Sequence, residues 1–226
     1  KMSSQTTSGA VTEHSEHYDE VGTRLGFWLF LFTELFLFGA FFIVYLVYRT
    51  TYLPDFQTAS NQLSTVIGTT NTIILLFSSL TVVLAIHYMR KGIKKMALTF
   101  LSITILCGLA FLVIKSFEWG GKFDHNLFLQ LRGNIEQGLG SPLLTPGSSE
   151  MLPMGQVLFF GLYFIMTGTH ALHIIIGLIW MSVLWVWIYQ GKLKTDRAGI
   201  LENGGLYWHL VDLIWIYLFP LFYLIA

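Results

Sequence analysis

The segment Asn203-Gly-Gly-Leu-Tyr207-Trp208-His209-Leu-Val-Asp212-Leu-Ile-Trp215-Ile-Tyr-Leu-Phe-Pro220 is apolar enough to cross a bilayer, yet it carries two ionisable side chains. A carboxylic acid deep in a membrane helix costs roughly 2.5 to 3.5 kcal/mol on insertion scales, so Asp212 is expected to face protein, bound lipid or water rather than hydrocarbon. His209, three residues away and on the same helical face, is its nearest candidate partner. With that polar stripe turned inward, Trp208, Leu213, Ile216 and Leu224 are free to face elsewhere. A span of this kind belongs to a bundle.

The rest of the chain has the same character. Hydrophobic residues make up 54% of the 226, aromatic residues 16% and charged residues only 12%, which places the chain among integral membrane proteins. Apolar runs predict spans over about 24–48, 66–88, 97–118, 154–188 and 204–225. The expected fold is all-α, a polytopic bundle of five transmembrane helices over 24–226, preceded by a polar tail, 1–23, that lacks the basic start and apolar core of a cleavable signal peptide. The formal net charge is zero and basic runs are short, so nucleic acid is not an expected partner. Cys107, the only cysteine, lies in an apolar run; it excludes an internal disulfide and a thiolate cluster, and reads as packing.

Between the third and fourth spans, 120–153 is rich in Gly, Pro, Ser and Asn and reads as a long extramembrane loop with a short helix around Asn126 to Arg132. Five spans place alternate loops on alternate sides. One side then receives nine basic residues, among them the cluster Arg90, Lys91, Lys94 and Lys95, and the other only Arg49, Lys115, Lys122 and Arg132. The positive-inside rule makes the N-terminus cytoplasmic and the C-terminus external. An odd number of spans argues against two equal transporter halves.

Polar residues inside the spans are the candidate sites. In the second span Asn71, Thr72, Ser78 and Ser79 can hydrogen-bond across a helix interface, and His87 stands near its end. His170 and His173 are one turn apart, the wrong spacing for the paired ligands of two haems. Glu34 and Glu118 are of the right type for a metal pair, but they lie at different depths, and the Glu-x-x-His spacing of di-iron bundles is missing from every span. Glu118 and Trp119, closing the third span, read as interfacial. Glu34 reads as an isolated mid-membrane carboxylate without an obvious chain of partners, open to a proton-relay role. Gly161 and Gly168, seven residues apart, read as a surface for close helix approach. The plainest account of these polar groups is that they satisfy one another, bind lipid head groups or tie the bundle to a neighbouring subunit.

Several separated motifs, in order, resemble subunit III of haem-copper terminal oxidases, the cytochrome c oxidase family. They are Thr33-Glu34-Leu-Phe-Leu-Phe38; Asn71-Thr72-Ile-Ile-Leu-Leu-Phe-Ser78-Ser79 with His87; Phe117-Glu118-Trp119; Tyr163-Phe-Ile-Met-Thr167-Gly168-Thr-His170-Ala-Leu-His173-Ile-Ile-Ile-Gly177; and Tyr207-Trp208-His209-Leu-Val-Asp212-Leu-Ile-Trp215. The resemblance covers nearly everything from Arg24 onward. Longer members carry two further spans before the counterpart of the first span here, so this sequence is similar to the five-span form of some bacterial oxidases.

The resemblance implies a proton-pumping complex of aerobic respiration in the bacterial inner membrane, which reduces oxygen to water. Its haems and copper are expected in subunits I and II, and this chain is expected to carry no redox cofactor or metal. Its implied roles are to stabilise subunit I, support proton uptake and hold phospholipid. Glu34, His87, Glu118, His170, His173, His209 and Asp212 fall on motif positions, with structural or lipid-facing roles. Implied partners are subunit I, subunit II, small subunits, membrane lipid and a respiratory supercomplex. Cytochrome c is the first choice of electron donor; alternatives are a quinol oxidase, a homologue associated with nitric oxide reductase and, in a different class, a small-solute transporter.

Overall fold

A computed structural model describes residues 20–124, 143–144, 151–192 and 198–224. Its elements are α1 (Glu20–Thr51), α2 (Leu53–Ser60), α3 (Thr65–Arg90), α4 (Lys94–Asp124), β1 (Leu143–Leu144), β2 (Met151–Leu152), α5 (Met154–Tyr189) and α6 (Ala198–Phe219), the last continued by a π-helical turn, Pro220–Leu224. Five of the helices, all but α2, are long and apolar enough to cross a membrane, and over the described residues the expected spans overlap them. The outward faces are hydrocarbon-like: Leu25, Trp28, Phe32 and Phe36 on α1 and Leu172, Ile176 and Ile179 on α5 are all exposed. This is a membrane protein built as an antiparallel helix bundle.

The linkers follow from local chemistry. α3 turns into α4 through Gly92 at φ 75°, whose N–H donates to the Met89 carbonyl while the Ile93 N–H reaches that of Tyr88. This pair of bonds, with a glycine in the left-handed region, closes the last turn of a helix and reverses the chain. α5 ends the same way at Gly191, φ 71°. α4 runs to Asp124, so the expected loop from Gly120 starts five residues too early. The loop holds a minimal antiparallel ribbon, β1 with β2, and the short helix expected near Asn126 lies outside the described residues.

α2 was not expected. Pro54 and Asp55 in its first turn favour helix initiation, and its inner face buries Phe56, Ala59 and Ser60. The Asp55 side chain lies against the start of α5, so close that a Cβ on Gly155 would stand 2.5 Å from its Oδ2. Pro220 widens the end of α6, since it lacks an N–H and its ring clashes with the preceding turn. Two carbonyls at that turn are caught from other helices, Leu221 by Tyr45 Oη at 2.5 Å and Phe222 by Ser60 Oγ at 2.7 Å.

The core is aromatic. Trp208 and Trp215 of α6 are fully buried, and Phe111 meets Trp215 edge-to-face with ring centroids 4.9 Å apart. Trp208 therefore does not face outward as the sequence suggested, whereas Leu213, Ile216 and Leu224 do. Helices also approach closely at Gly108, Gly177, Gly204 and Gly205, where an added Cβ would press on Leu178, Trp208, Trp180 or Ile86. Gly161 and Gly168 are not such contacts: nothing lies within 4 Å of a Cβ at Gly161, and at Gly168 the one neighbour is the Trp119 ring at 3.6 Å.

Candidate functional site

Among the described residues, three polar clusters lie within the bundle. The first joins α1 to α5. His173 Nε2 is 2.7 Å from Glu34 Oε2, and Nδ1 is 2.7 Å from the Thr169 carbonyl. A carbonyl can only accept, so Nδ1 carries a proton and Nε2 and Oε2 share the other, as imidazolium with carboxylate or imidazole with carboxylic acid. Phe38 sets its ring edge-on to the imidazole at 5.4 Å, and Tyr207 Oη reaches the His173 carbonyl at 3.3 Å. Glu34 is thus half-buried and paired, not the isolated carboxylate that the sequence suggested. Its partner was hidden because it sits 139 residues away on another helix.

The second cluster is built around Lys115 and Glu118, whose side chains are each only 4% exposed. Lys115 Nζ donates to Glu118 Oε2 at 2.9 Å, to Tyr163 Oη at 3.2 Å and to Tyr223 Oη at 2.8 Å. Both phenols donate in turn to Glu118 Oε1, at 2.8 and 2.5 Å. All three ammonium protons are used, and the same charge lies 4.6 Å from the centre of the Trp215 ring. A buried ion pair persists only when its remaining lone pairs and protons are satisfied, as they are here. Glu118 accordingly faces the interior of the bundle. Lys115 does not count among surface charges; removing it from the four basic residues on its side leaves three against nine.

The third cluster is a seam between α3 and α6. Thr72 Oγ1 accepts from Trp215 Nε1 at 3.1 Å, Ser78 Oγ accepts from Trp208 Nε1 at 3.0 Å, and Ser79 Oγ is 2.6 Å from His209 Nδ1. Asp212 is buried at the same seam beside Ser79, and its Oδ1 has no hydrogen-bond partner among the described residues. The expected pairing of His209 with Asp212 is therefore replaced by a bond from His209 to a serine of the neighbouring helix. The expected cross-helix role of Thr72, Ser78 and Ser79 is present.

The other candidates stand apart. His170 is fully buried between Phe111 and Trp215, and neither its ring nitrogens nor the Asn71 amide has a protein hydrogen-bond partner among the described residues. His170 and His173 therefore point into different surroundings despite their spacing. His87 is exposed and meets only the edge of Tyr88. Sequence reasoning missed Lys115, Tyr163 and Tyr223 as partners of Glu118; the signal was the Lys-x-x-Glu spacing within an apolar helix, which places both charges on one face. Glu34 and Glu118 sit in separate clusters, and no group of three His, Cys, Asp or Glu side chains converges as metal ligands among the described residues.

The sequence was compared with those of known proteins. Residues 151–226 match the family described as Cytochrome c oxidase subunit III. A protein of Staphylococcus saprophyticus named "Probable quinol oxidase subunit 3" is 32% identical over 205 residues, covering 90% of this chain and 89% of the relative. A protein of the same name from Staphylococcus aureus strain USA300 is 30% identical over the same shares of both chains.

Proposed function

The chain belongs to the subunit III family of haem-copper oxidases, and from that premise we propose that it is the non-catalytic third subunit of a quinol-fed, proton-pumping oxygen reductase. The observation that carries the structural role is the way ionisable groups inside the spans are used. Glu34 with His173, Glu118 with Tyr163 and Tyr223, and His209 with Ser79 each join side chains of different helices, so these polar groups close the bundle upon itself rather than converge on a substrate. Redox chemistry then belongs to partner subunits I and II, which would carry the haems and copper. This chain stabilises subunit I, supports proton uptake and binds phospholipid, with its N-terminus on the cytoplasmic side of a bacterial membrane. The motif residues Glu34, His87, Glu118, His170, His173, His209 and Asp212 take structural or lipid-facing parts.

Quinol is favoured over the sequence-based choice of cytochrome c by the names of relatives that match almost end to end. Cytochrome c remains the second reading, supported by the description of the matching family. The test is oxygen uptake by the purified complex supplied with ubiquinol or menaquinol and, separately, with reduced cytochrome c. Uptake with quinol alone is expected; uptake with cytochrome c alone would reverse the assignment.

A further inference from the structure

The flank of the bundle between α4 and α5, away from the three clusters, carries a groove of about 620 Å³ lined by Ile105, Leu109, Leu112, Ile175, Ile179 and Trp187 among others. From Ile175 to Trp187 it extends roughly 18 Å along α5, close to the roughly 15 Å of one hydrocarbon leaflet. Its walls are almost wholly aliphatic and open sideways, so its occupant must be apolar over that length.

The end of the groove is not apolar. Below Trp187 the chain turns at Gly191, and the Lys192 N–H donates to the Trp187 carbonyl at 3.0 Å, fixing Lys192 under the mouth. From the facing helix, Lys94 brings its Nζ to 3.8 Å from the position of a Cβ on Gly191. Neither lysine has an ion-pair partner among the described residues, whereas Glu202 at this end is taken by Arg90 at 2.8 Å. Trp187, partly exposed, adds an indole N–H at the level where the apolar walls give way to charge.

An apolar slot one leaflet deep under two unpaired ammonium groups matches one class of molecule. We propose that this groove binds one anionic phospholipid from the leaflet on the basic side of the bundle, with an acyl chain along Ile105, Leu109 and Ile179 and the phosphate held by Lys94 and Lys192. The inference rests on the membrane-subunit reading and adds to it a site, a leaflet and a charge preference. Two basic residues near a membrane surface correspond to about a thirtyfold preference for an anionic over a zwitterionic head group.

The test is lipid counting by native mass spectrometry on the whole complex, exchanged into nanodiscs of phosphatidylglycerol or phosphatidylcholine. The unaltered complex should retain one more phosphatidylglycerol than a Leu109→Trp/Ile179→Phe variant, whose larger side chains fill the slot. Lys94→Gln/Lys192→Gln, a surface change that leaves the helix contacts intact, should keep the slot but lose about thirtyfold of its preference for phosphatidylglycerol. Equal lipid counts in the filled and unaltered complexes would overturn the proposal. So would loss of a small subunit rather than a lipid on filling the slot, which would make it a protein interface, and so would an unchanged preference without the lysines. If no haem-bearing subunit copurifies, the functional reading fails, while the same count on the isolated chain still decides the groove.

Discussion

His173 Nε2 lies 2.7 Å from Glu34 Oε2, and this contact ties α1 to α5. Elsewhere α1 is held mainly by aromatic packing and by the Tyr45 hydrogen bond to Leu221, while much of its surface faces outward. Replacing Glu34 by Leu would leave Nε2 without its partner, at a cost of about 1 to 3 kcal/mol. Hydrogen exchange should show amides of α1 opening about tenfold faster or more in Glu34→Leu, with α3 and α4 unchanged. Uniform exchange across all helices would mean that the pair does not hold α1.

Lys115 and Glu118 should behave as a unit. Lys115→Met removes the cation and strands a buried carboxylate, for which about 3 to 5 kcal/mol is the usual cost. The double variant Lys115→Met/Glu118→Gln removes both charges while Tyr163 and Tyr223 can still donate to the amide oxygen. Thermal unfolding of the assembled protein should therefore show the single variant well below the double. Equal melting temperatures would contradict the pairing.

Legibility from sequence followed the range of the interaction. Periodicity and length sufficed for the five spans because each is a property of consecutive residues, and the polar positions that matter were visible because charge in hydrocarbon is costly. What stayed hidden was the pairing across helices: Glu34 with His173, Glu118 with Tyr163 and Tyr223, and His209 with Ser79. Spacing along one helix even misled, since His170 and His173 share a motif but not an environment. The same limit applied to the glycines, whose seven-residue spacing at Gly161 and Gly168 marked no close helix approach while Gly204 and Gly205 form one.

Sidedness is open to chemical labelling. In a Cys107→Ser background, a cysteine at Ser148 should react with an impermeant thiol reagent added outside intact cells, and one at Thr195 should react only after lysis. The expectation comes from the excess of basic residues on the side that bears Lys192. The reverse pattern would invert the topology.

Asp212 is expected to matter for assembly and not for turnover. Asp212 is buried beside Ser79 at the seam between α3 and α6, so Asp212→Leu removes a polar group from that seam, at a cost of about 1 to 3 kcal/mol if a neighbouring polar atom is left unsatisfied. Recovery of this subunit with the haem-bearing core should fall in Asp212→Leu and be largely kept in Asp212→Asn. Initial oxygen consumption per haem should be close to normal in both. A fully assembled variant with collapsed turnover per haem would give Asp212 a direct part in the reaction.

The most direct measurement is the purification of an affinity-tagged copy of this chain from membranes in mild detergent, followed by a reduced-minus-oxidised spectrum and a subunit count. The account predicts a coloured complex in which a haem-bearing subunit copurifies at one-to-one stoichiometry and consumes oxygen. It also predicts that this chain, stripped from the complex, carries no haem absorbance. A colourless chain recovered alone and able to move a solute across vesicles, or haem remaining on the separated chain, would contradict it.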